Sequence, residues 1–501
     1  MTDAPARFER ATPESAGVDP RALARLVRGL ADTAELHSLM VVRHGRVIAE
    51  GWAPPFSADR PHLLYSLSKS FTSTAVGFAV DEGLLRLDDR VVDLVERARP
   101  GVVEAAVAGL SDDEAARVRR QRVRDLLTMT SGHDAEPDVS TNDDWLAAFV
   151  AAPLAHEPGE HFVYNTMATY VLGELLQRAT GSSLLEYLEP RLLKPLGIVG
   201  ATSERSPSGF DTAGFGMSAR TEDLAAFGEL YLRDGVWVGE RVLPAGWAAA
   251  ATARHVPNGS GGPDDATNDW AQGYGFQFWR SRHGYRGDGA FGQYCLVLPE
   301  HDVVVVVTSA AADMGATLNA VWDALLPGLS SDPLPVDDEG RADLAAAFAS
   351  LGYPAPRGQA RSAAGDALAG RRITLRPSGP PRNDARPPEP LPHALTFTPG
   401  DESDDVTLEF DEGAATFRVD HGEPREQRLI EWRGHAVPAD ALVSGLWSAP
   451  DTYVVTVRYP GGPHVLTVEA VVDGDAVRID ASYNLVFGDR RLPGLVGAAV
   501  R

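Results

Sequence analysis

The sequence predicts an α+β domain followed by an all-β domain, and three observations support this division. Helical and strand patterns are mixed through the first 328 residues, a stretch rich in Pro, Arg and Gly follows, and short strand-like runs fill the remainder. A chain of 501 residues is also too long for one compact core. We therefore predict a domain over 1–328, a linker over 329–392 and a β-rich domain over 393–501, whose first strands begin near 365 at the earliest.

The first domain begins and ends with strand patterns. Residues 38–52 indicate two short apolar strands around a turn at His44-Gly45, and the runs YGFQFWR, GQYCLVLP and DVVVVVTS are typical of later antiparallel strands. Apolar residues at helical spacing predict helices in four segments: 68–85, 167–181, 221–235 and 316–326. Strands at both ends with helices between them predict a sheet that joins the N- and C-terminal strands.

Composition and charge limit the class of protein. A formal net charge of -24 argues against nucleic acid or an anionic membrane surface as a partner, because phosphate binding needs clustered cations. No apolar stretch approaches the roughly 20 residues of a spanning helix, and the N-terminus lacks a secretory pattern. The single cysteine, Cys295, allows no internal disulfide and lies in an apolar run typical of a buried thiol. We expect a cytoplasmic enzyme.

Lysine is almost absent from the sequence. It occurs only at positions 69 and 194, whereas Lys and Arg together number 46. Arginine can form ion pairs and bind anions, but its guanidinium does not deprotonate in proteins, whereas a buried lysine can. A lysine kept against this bias is therefore a candidate for proton transfer.

Lys69 lies three residues after Ser66 in LLYSLSKSFTSTAVG. If Ser66 opens a helix, the two residues share one face, so the lysine nitrogen can reach the hydroxyl. Serine is a poor nucleophile without an adjacent base, and a desolvated lysine can provide one near neutral pH. The positive end of the helix dipole would favour an anionic intermediate at the same place. Lys194 has arginine at the matching position, so this Ser-x-x-Lys pattern occurs once.

Two further segments are candidates for the same site. Tyr164 follows the turn Pro158-Gly159 and precedes a helix, where a tyrosine could relay a proton to a leaving group, especially if a lysine lowers its pKa. The segment HGYRGDGAFGQYCLVLP (283–299) is rich in glycine, which allows a backbone to approach a ligand closely. A strand N–H near Gly287 could then complete an oxyanion hole with the N–H of Ser66.

In chain order, these segments resemble the serine β-lactamase and penicillin-binding-protein superfamily, closest to its class C and family VIII esterase branch. The resemblance covers nearly all of residues 10–326 and rests on eight segments: TPESAGVDP, VVRHGRVI, YSLSKSFTSTAVGFAVDEGLLRLDD, VRDLLTMTSGH, PGEHFVYNTMATYVLGELLQRATG, LYLRDGVWVGERVLPAGW, GYGFQFW and GAFGQYCLVLPEHDVVVVVTS. It implies a transpeptidase-like fold, in which helices flank an antiparallel sheet and form an inserted lobe. It also implies an acyl-enzyme mechanism that needs no metal or organic cofactor. Weaker similarity of the C-terminal strands implies a lipocalin-like domain.

The sequence departs from the superfamily in two motifs that contact substrate. Where a Tyr-x-Asn motif is expected, Tyr164-Asn165-Thr166 places threonine at the third position, and Asn165 is a candidate replacement. Where Lys-Thr-Gly or His-x-Gly is expected, counting without gaps places Gly284 at the cationic position. The candidates for substrate contact in this third motif are His283, Arg286, Gly287 and Asp288. Both departures weaken the expectation of efficient β-lactam hydrolysis.

The sequence thus predicts a serine hydrolase that cleaves a small-molecule ester or amide, with Ser66, Lys69 and Tyr164 as the catalytic residues and no metal. Alternatives on the same machinery are a β-lactamase, a D-amino-acid peptidase or an acyl-transferring peptide cyclase. A sensor that is acylated without turnover is the alternative from another class. Neither the substrate nor the oligomeric state can be inferred from the residues.

Overall fold

The computed structural model describes residues 7–139, 142–353, 356–379, 391–432 and 436–499. These residues form two compact units that divide after Gly352. No helix in the described ranges combines the length and the apolar character needed to cross a bilayer.

The first unit is built on a mixed sheet with seven strands in its described residues. Its order is β1-β3-β2-β11-β10-β9-β8, and all neighbours are antiparallel except β1 and β3. Four further short strands form two separate pairs, β4 with β5 and β6 with β7. The strands of the unit are β1 (Glu9–Arg10), β2 (Glu35–Arg43), β3 (Arg46–Trp52), β4 (His62–Leu63), β5 (Ser218–Ala219), β6 (Val236–Trp237), β7 (Glu240–Arg241), β8 (Trp279–Arg280), β9 (Tyr285–Gly289), β10 (Gln293–Leu298) and β11 (Val303–Ala310).

The sheet joins N-terminal and C-terminal strands, as predicted. Strand β2 pairs with β11, and Val41 lies opposite Val305. The side chains of Val303, Val305 and Val307 enter one apolar core, whereas those of Val304 and Val306 enter another on the opposite face. This burial on both faces explains why the strand is a continuous apolar run.

Helices cover both faces of the sheet. Helices α1, α12 and α13 supply one core, whereas α2, α8 and α10 supply the other with the inserted helical lobe. The helices are α1 (Pro20–Thr33), α2 (Ser68–Asp81), α3 (Val91–Ala98), α4 (Val102–Val107), α5 (Asp112–Arg120), α6 (Val123–Leu127), α7 (Trp145–Ala151), α8 (Thr166–Thr180), α9 (Leu184–Leu188), α10 (Thr221–Leu232), α11 (Trp247–Thr252), α12 (Met314–Leu325) and α13 (Asp338–Ala349). The four helices predicted in this unit therefore correspond to α2, α8, α10 and α12. Each begins or ends within a few residues of its predicted bounds.

Part of the predicted linker belongs to the first unit. Helix α13 lies inside 329–392, and Leu344 enters the core shared with α1 and α12. The ring of Phe348 packs on Gly51 of β3 so closely that a Cβ there would come within 2.1 Å of it. Arg21 of α1 also forms an ion pair of 2.8 Å with Asp337, the residue before α13. Of the rest of the range, 380–390 lies outside the described residues.

The second unit is almost entirely β, as predicted. Its ten described strands follow the order β15-β14-β13-β12-β21-β20-β19-β18-β17-β16, and a pairing between Asp420 and Ser444 links β15 to β17, so that the sheet closes on itself. Its elements are α14 (Ala363–Leu368), β12 (Arg372–Pro377), β13 (Ala394–Thr398), β14 (Ser403–Phe410), β15 (Gly413–Asp420), β16 (Glu426–Trp432), β17 (Ala436–Ala449), β18 (Thr452–Arg458), β19 (Val465–Asp473), β20 (Ala476–Tyr483) and β21 (Leu495–Ala499). Alternate residues of β18 point into the core, which explains the period-2 pattern of TYVVTVR.

Helix α10 lies against the sheet at a glycine. A Cβ at Gly228 would come within 2.6 Å of Val304 and 2.8 Å of the Sγ of Cys295. Cys295 itself is buried, as predicted, and burial raises the pKa of its thiol to about 12. The close approach of α10 to β10 and β11 therefore requires the absence of a side chain at 228.

We expect Gly228→Ala to destabilise the first unit. Overpacking costs about 1–3 kcal/mol, which outweighs the gain of about 1 kcal/mol that alanine brings to a helix interior. Gly29→Ala in α1 is the matched control, because its Cβ would lie 3.5 Å from Ala320, an ordinary contact. Calorimetry should show a lower unfolding midpoint for Gly228→Ala and an equal or higher one for Gly29→Ala. Equal midpoints for the two variants would contradict the packing.

Candidate active site

Ser66 lies in a single turn of 3-10 helix, Tyr65–Leu67, that leads directly into α2. The strand before it, β4, pairs with β5, and Tyr65 adopts a left-handed backbone conformation with φ of 49°. Such a φ is rare for a bulky residue, so tertiary packing must hold the bend. The bend presents Ser66, which is half-buried, at the N-terminal end of α2.

Lys69 faces Ser66 from the first turn of α2. Its Nζ lies 2.9 Å from Ser66 Oγ, 3.3 Å from Thr166 Oγ1 and 2.7 Å from the carbonyl oxygen of Gly214. The side chain is 1% exposed. The predicted i, i+3 contact is therefore present, and the lysine also joins α2 to the start of α8 and to the segment before β5.

Burial changes the charge state of this lysine. It lowers the pKa of the Lys69 ammonium to about 7, although the carboxylates of Glu136 and Asp288 raise the pKa in part. A large fraction of Lys69 is therefore neutral near neutral pH, and a neutral amine can accept a proton.

Tyr164 lies beside the pair, just before α8. Its ring centroid is 5.0 Å from Lys69 Nζ, and its ring stacks on Trp279 with centroids 5.3 Å apart and planes 23° apart. Burial raises the pKa of the phenol above its usual range, and a hydrogen bond with Ser66 offsets this in part. The direction is opposite to the lowered pKa considered in the sequence analysis, and burial is the largest cause. At neutral pH the phenol keeps its proton.

The two residues after Tyr164 have different surroundings. Thr166 faces Lys69, as described above. Asn165 is fully buried and caps α8, since its side-chain oxygen accepts from the N–H of Ala168 at 3.1 Å. Its amide nitrogen lies 3.4 Å from Ser131 Oγ. The polar atoms of Asn165 therefore bind the N-terminus of α8 and the neighbouring Ser131.

Strand β9 passes closely beside Ser66, and its glycines allow this. A Cβ at Gly287 would lie 3.1 Å from side-chain atoms of Leu67 and Ser70. A Cβ at Gly289 would lie 2.0 Å from the carbonyl oxygen of Leu64. Any side chain at these positions would push the strand away from the turn that carries Ser66.

Arg286 and Asp288 alternate with these glycines and point to the other face of β9. Arg286 Nε donates to Asp288 Oδ2 at 2.8 Å, and Nη1 donates to Ser281 Oγ at 2.6 Å. Both side chains are buried. Burial raises the pKa of the Asp288 carboxyl, and Arg286 offsets part of that rise.

His283 lies at the far end of β9, in the turn that precedes the strand. Its ring packs on Trp322 of α12 at a centroid distance of 5.2 Å. Burial lowers its pKa. Gly287 lies against the turn of Ser66, and the Asp288 carboxylate is near enough to raise the pKa of Lys69, whereas His283 is separated from that turn by most of the strand.

Gln277 is a buried residue whose hydrogen bonds connect several helices, and it was not identified from the sequence. Its Nε2 donates to the carbonyls of Leu126 and Leu127, both at 3.0 Å, and its Oε1 accepts from Thr169 Oγ1 at 2.7 Å. Its own carbonyl accepts from Ser70 Oγ at 2.9 Å. The segment thus joins α2, α6 and α8 behind Ser66, but a glutamine within an apolar strand pattern gives no sign of this.

The described side chains offer no cluster of three His, Cys, Asp or Glu residues arranged to hold a metal ion. Around Ser66 the structure brings together a hydroxyl, an amine whose pKa is lowered to about 7 and a phenol that keeps its proton at neutral pH. This combination can activate a serine for attack and donate a proton to a leaving group.

The chain is similar to known proteins in both sequence and structure. The beta-lactamase family model matches residues 23–327, more than half of the chain. The 6-aminohexanoate-dimer hydrolase of Paenarthrobacter ureafaciens is 29% identical over 350 residues, which cover 66% of this chain and 87% of the relative. Penicillin-binding protein 4 of Amycolatopsis lactamdurans is 28% identical over 329 residues, covering 58% and 82%. A solved structure from Bacteroides dorei DSM 17855, provisionally named a beta-lactamase, has 17% identity and a TM-score of 0.50, covering 61% and 99%.

The charge state of Lys69 can be measured directly because lysine occurs only twice. With lysine labelled by 13C at Cε, we expect one of the two signals to titrate near pH 7, since Lys69 is desolvated. Lys69→Arg should remove that signal, whereas Lys194→Arg should leave it. A signal near pH 7 that survives Lys69→Arg would contradict the assignment.

Proposed function

The chain belongs to the beta-lactamase family, and from this premise we propose that it is a serine hydrolase that forms an acyl-enzyme on Ser66 and cleaves a small-molecule ester or amide. The observation that carries the proposal is the 2.9 Å contact between Ser66 Oγ and Lys69 Nζ, in which burial lowers the lysine pKa to about 7. The similarity to a protein named 6-aminohexanoate-dimer hydrolase supports including amides in the substrate class, because two amino acids condense through an amide bond.

In the first step, Lys69 accepts the proton of Ser66 while Oγ attacks the substrate carbonyl. The developing oxyanion is held by the N–H of Ser66 and by a backbone N–H of β9 near Gly287. The close packing of β9 on the turn of Ser66 supports this second donor. The N-terminal end of α2 adds the positive end of its dipole.

Tyr164 then protonates the leaving group, which departs as an alcohol or amine. The raised pKa of its phenol supports this role, because an acid must hold its proton until the bond breaks. The site then holds a Lys69 ammonium, a Tyr164 phenolate and the acyl-serine. Water gives a proton to the phenolate and attacks the acyl group, and Ser66 Oγ recovers its proton from Lys69 as the acid departs.

The third motif argues against carboxylate-bearing β-lactams as good substrates. Gly287, which lies against the turn of Ser66, has no side chain to bind a carboxylate. The nearest cation on the strand, Arg286, is buried on the other face and bound to Asp288 and Ser281. We therefore propose a preference for esters or amides over β-lactams on the same machinery.

Ser66→Ala should abolish turnover of p-nitrophenyl esters, because it removes the nucleophile. With the unaltered protein, intact-protein mass spectrometry after rapid quenching should detect a transient acyl adduct on Ser66. Nitrocefin in parallel assays should be hydrolysed far more slowly than a short-chain ester. Unchanged ester turnover by Ser66→Ala would refute the proposal, and a permanent adduct would indicate an acyl sensor instead.

The activity should depend on pH through Lys69. The base must be deprotonated, so kcat/KM should fall about tenfold per pH unit below about 7 and level off above it. Lys69→Arg keeps the positive charge but removes the base, and it should lower kcat/KM at least about 100-fold at every pH. A profile with the same acid limb and activity in Lys69→Arg would show that the lysine acts only electrostatically.

A further inference from the structure

Tyr164 is one member of a packed group of aromatic side chains. Its ring lies face to face with Trp279 at 5.3 Å. Tyr274 meets Trp279 edge-on at 4.9 Å, and Phe162 meets Trp279 edge-on at 5.7 Å. Edge-to-face contacts at these distances are favourable and fix ring orientation. The Trp279 indole is therefore held by two rings that lie roughly perpendicular to it, while its face stacks on Tyr164.

A basic side chain lies near each end of this arrangement. Lys69 Nζ is 5.0 Å from the ring of Tyr164, and the guanidinium carbon of Arg286 is 5.7 Å from the ring of Trp279. The order is therefore Lys69, Tyr164, Trp279 and Arg286, with two aromatic rings between two basic side chains. We use the term cation-aromatic series for these four residues. Cation–π contacts within about 6 Å gain strength where water is excluded.

Arg286 is fixed in position independently of this series. Besides its bonds to Asp288 and Ser281, Nη1 donates to the carbonyls of Asp269 and Arg280 at 3.1 and 3.2 Å. The side chain is fully buried. A guanidinium held in this way is a rigid support for the indole, and its ion pair with Asp288 balances its charge.

We infer that Trp279 and Arg286 are positioning residues for acid catalysis by Tyr164. The face of Trp279 holds the phenol beside Lys69 and Ser66, and Arg286 fixes Trp279 in turn. The inference rests on the proposed function. Neither residue touches the reacting atoms, and their effect is exerted through the orientation of Tyr164.

The effect of a misplaced Tyr164 should depend on the leaving group. A p-nitrophenolate departs without help, whereas an alkoxide must be protonated as its bond breaks, so misplacing the acid should harm only the second class severely. Esters of one acid with p-nitrophenol, phenol and ethanol form the test series. The parameter is kcat/KM, because it reports steps up to acylation and is not masked by slow deacylation.

Trp279→Leu removes the aromatic face but keeps an apolar side chain. We expect kcat/KM to fall about 100-fold for the ethyl ester and about threefold or less for the p-nitrophenyl ester. Trp279→Phe keeps a stacking face and should recover most of the loss. Trp237→Leu is the matched control, since Trp237 in β6 packs on Phe8 away from the series and should leave the ratio between esters unchanged.

Arg286→Lys provides a second variant if Trp279→Leu fails to fold. A lysine lacks the planar fork, so it should lose the contact with the indole and shift the ester ratio in the same direction as Trp279→Leu. The fraction of each variant that is acylated by the p-nitrophenyl ester is measured by mass spectrometry. This fraction gives the proportion of correctly folded active sites.

The outcomes separate the inference from the proposed function. An equal loss for all three esters, or no loss, in the Trp279 variants would overturn the inference while Ser66→Ala still abolishes turnover. Turnover of the p-nitrophenyl ester by Ser66→Ala would overturn the proposed function itself. A selective loss for the ethyl ester, restored by Trp279→Phe, would establish the positioning role.

Discussion

The buried amine of Lys69 is the interaction on which the rest of the site depends. It contacts Ser66 on the turn before α2, Thr166 at the start of α8 and the carbonyl of Gly214. An amine in this position is stable only if each of these acceptors stays in place, because a buried donor without partners costs free energy. The same burial lowers its pKa to about 7. One side chain therefore both joins three segments and acquires the property that a general base needs.

The scaffold holds these segments by contacts that carry no chemistry. Gln277 adopts a left-handed φ of 63° and uses its amide to join α6 and α8, while its carbonyl accepts from Ser70, the residue after Lys69. On the opposite side, Gly287 and Gly289 let β9 approach the turn of Ser66. Ser66 is thus fixed between the helical lobe and the sheet, which explains how a half-buried hydroxyl keeps one orientation.

The sequence predicted those features that depend only on local geometry and burial. The spacing of Ser66 and Lys69 required only the geometry of one helical turn, and the valine run of β11 required only burial on both faces. Asn165 and His283 are candidates for substrate contact from the sequence, whereas in the structure Asn165 caps α8 and His283 packs on Trp322, contacts that sequence spacing does not reveal. The role of Trp279 could not be read either, since an aromatic residue in a strand pattern also fits an ordinary core.

Arg286 and Lys69, the two buried basic residues discussed above, explain why the site uses a lysine although lysine is scarce in the chain. Arg286 is fully buried and keeps its charge, because its guanidinium does not deprotonate and its ion pair with Asp288 offsets the cost of burial. Lys69 is equally buried, but it lies among neutral oxygens and can give up its charge. A permanent cation suits a fixed ion pair that supports the Trp279 ring, whereas the removal of a serine proton requires an amine that can become neutral. Arginine meets the first requirement and only lysine meets the second, which gives a chemical reason for a lysine at position 69 in a chain that otherwise uses arginine.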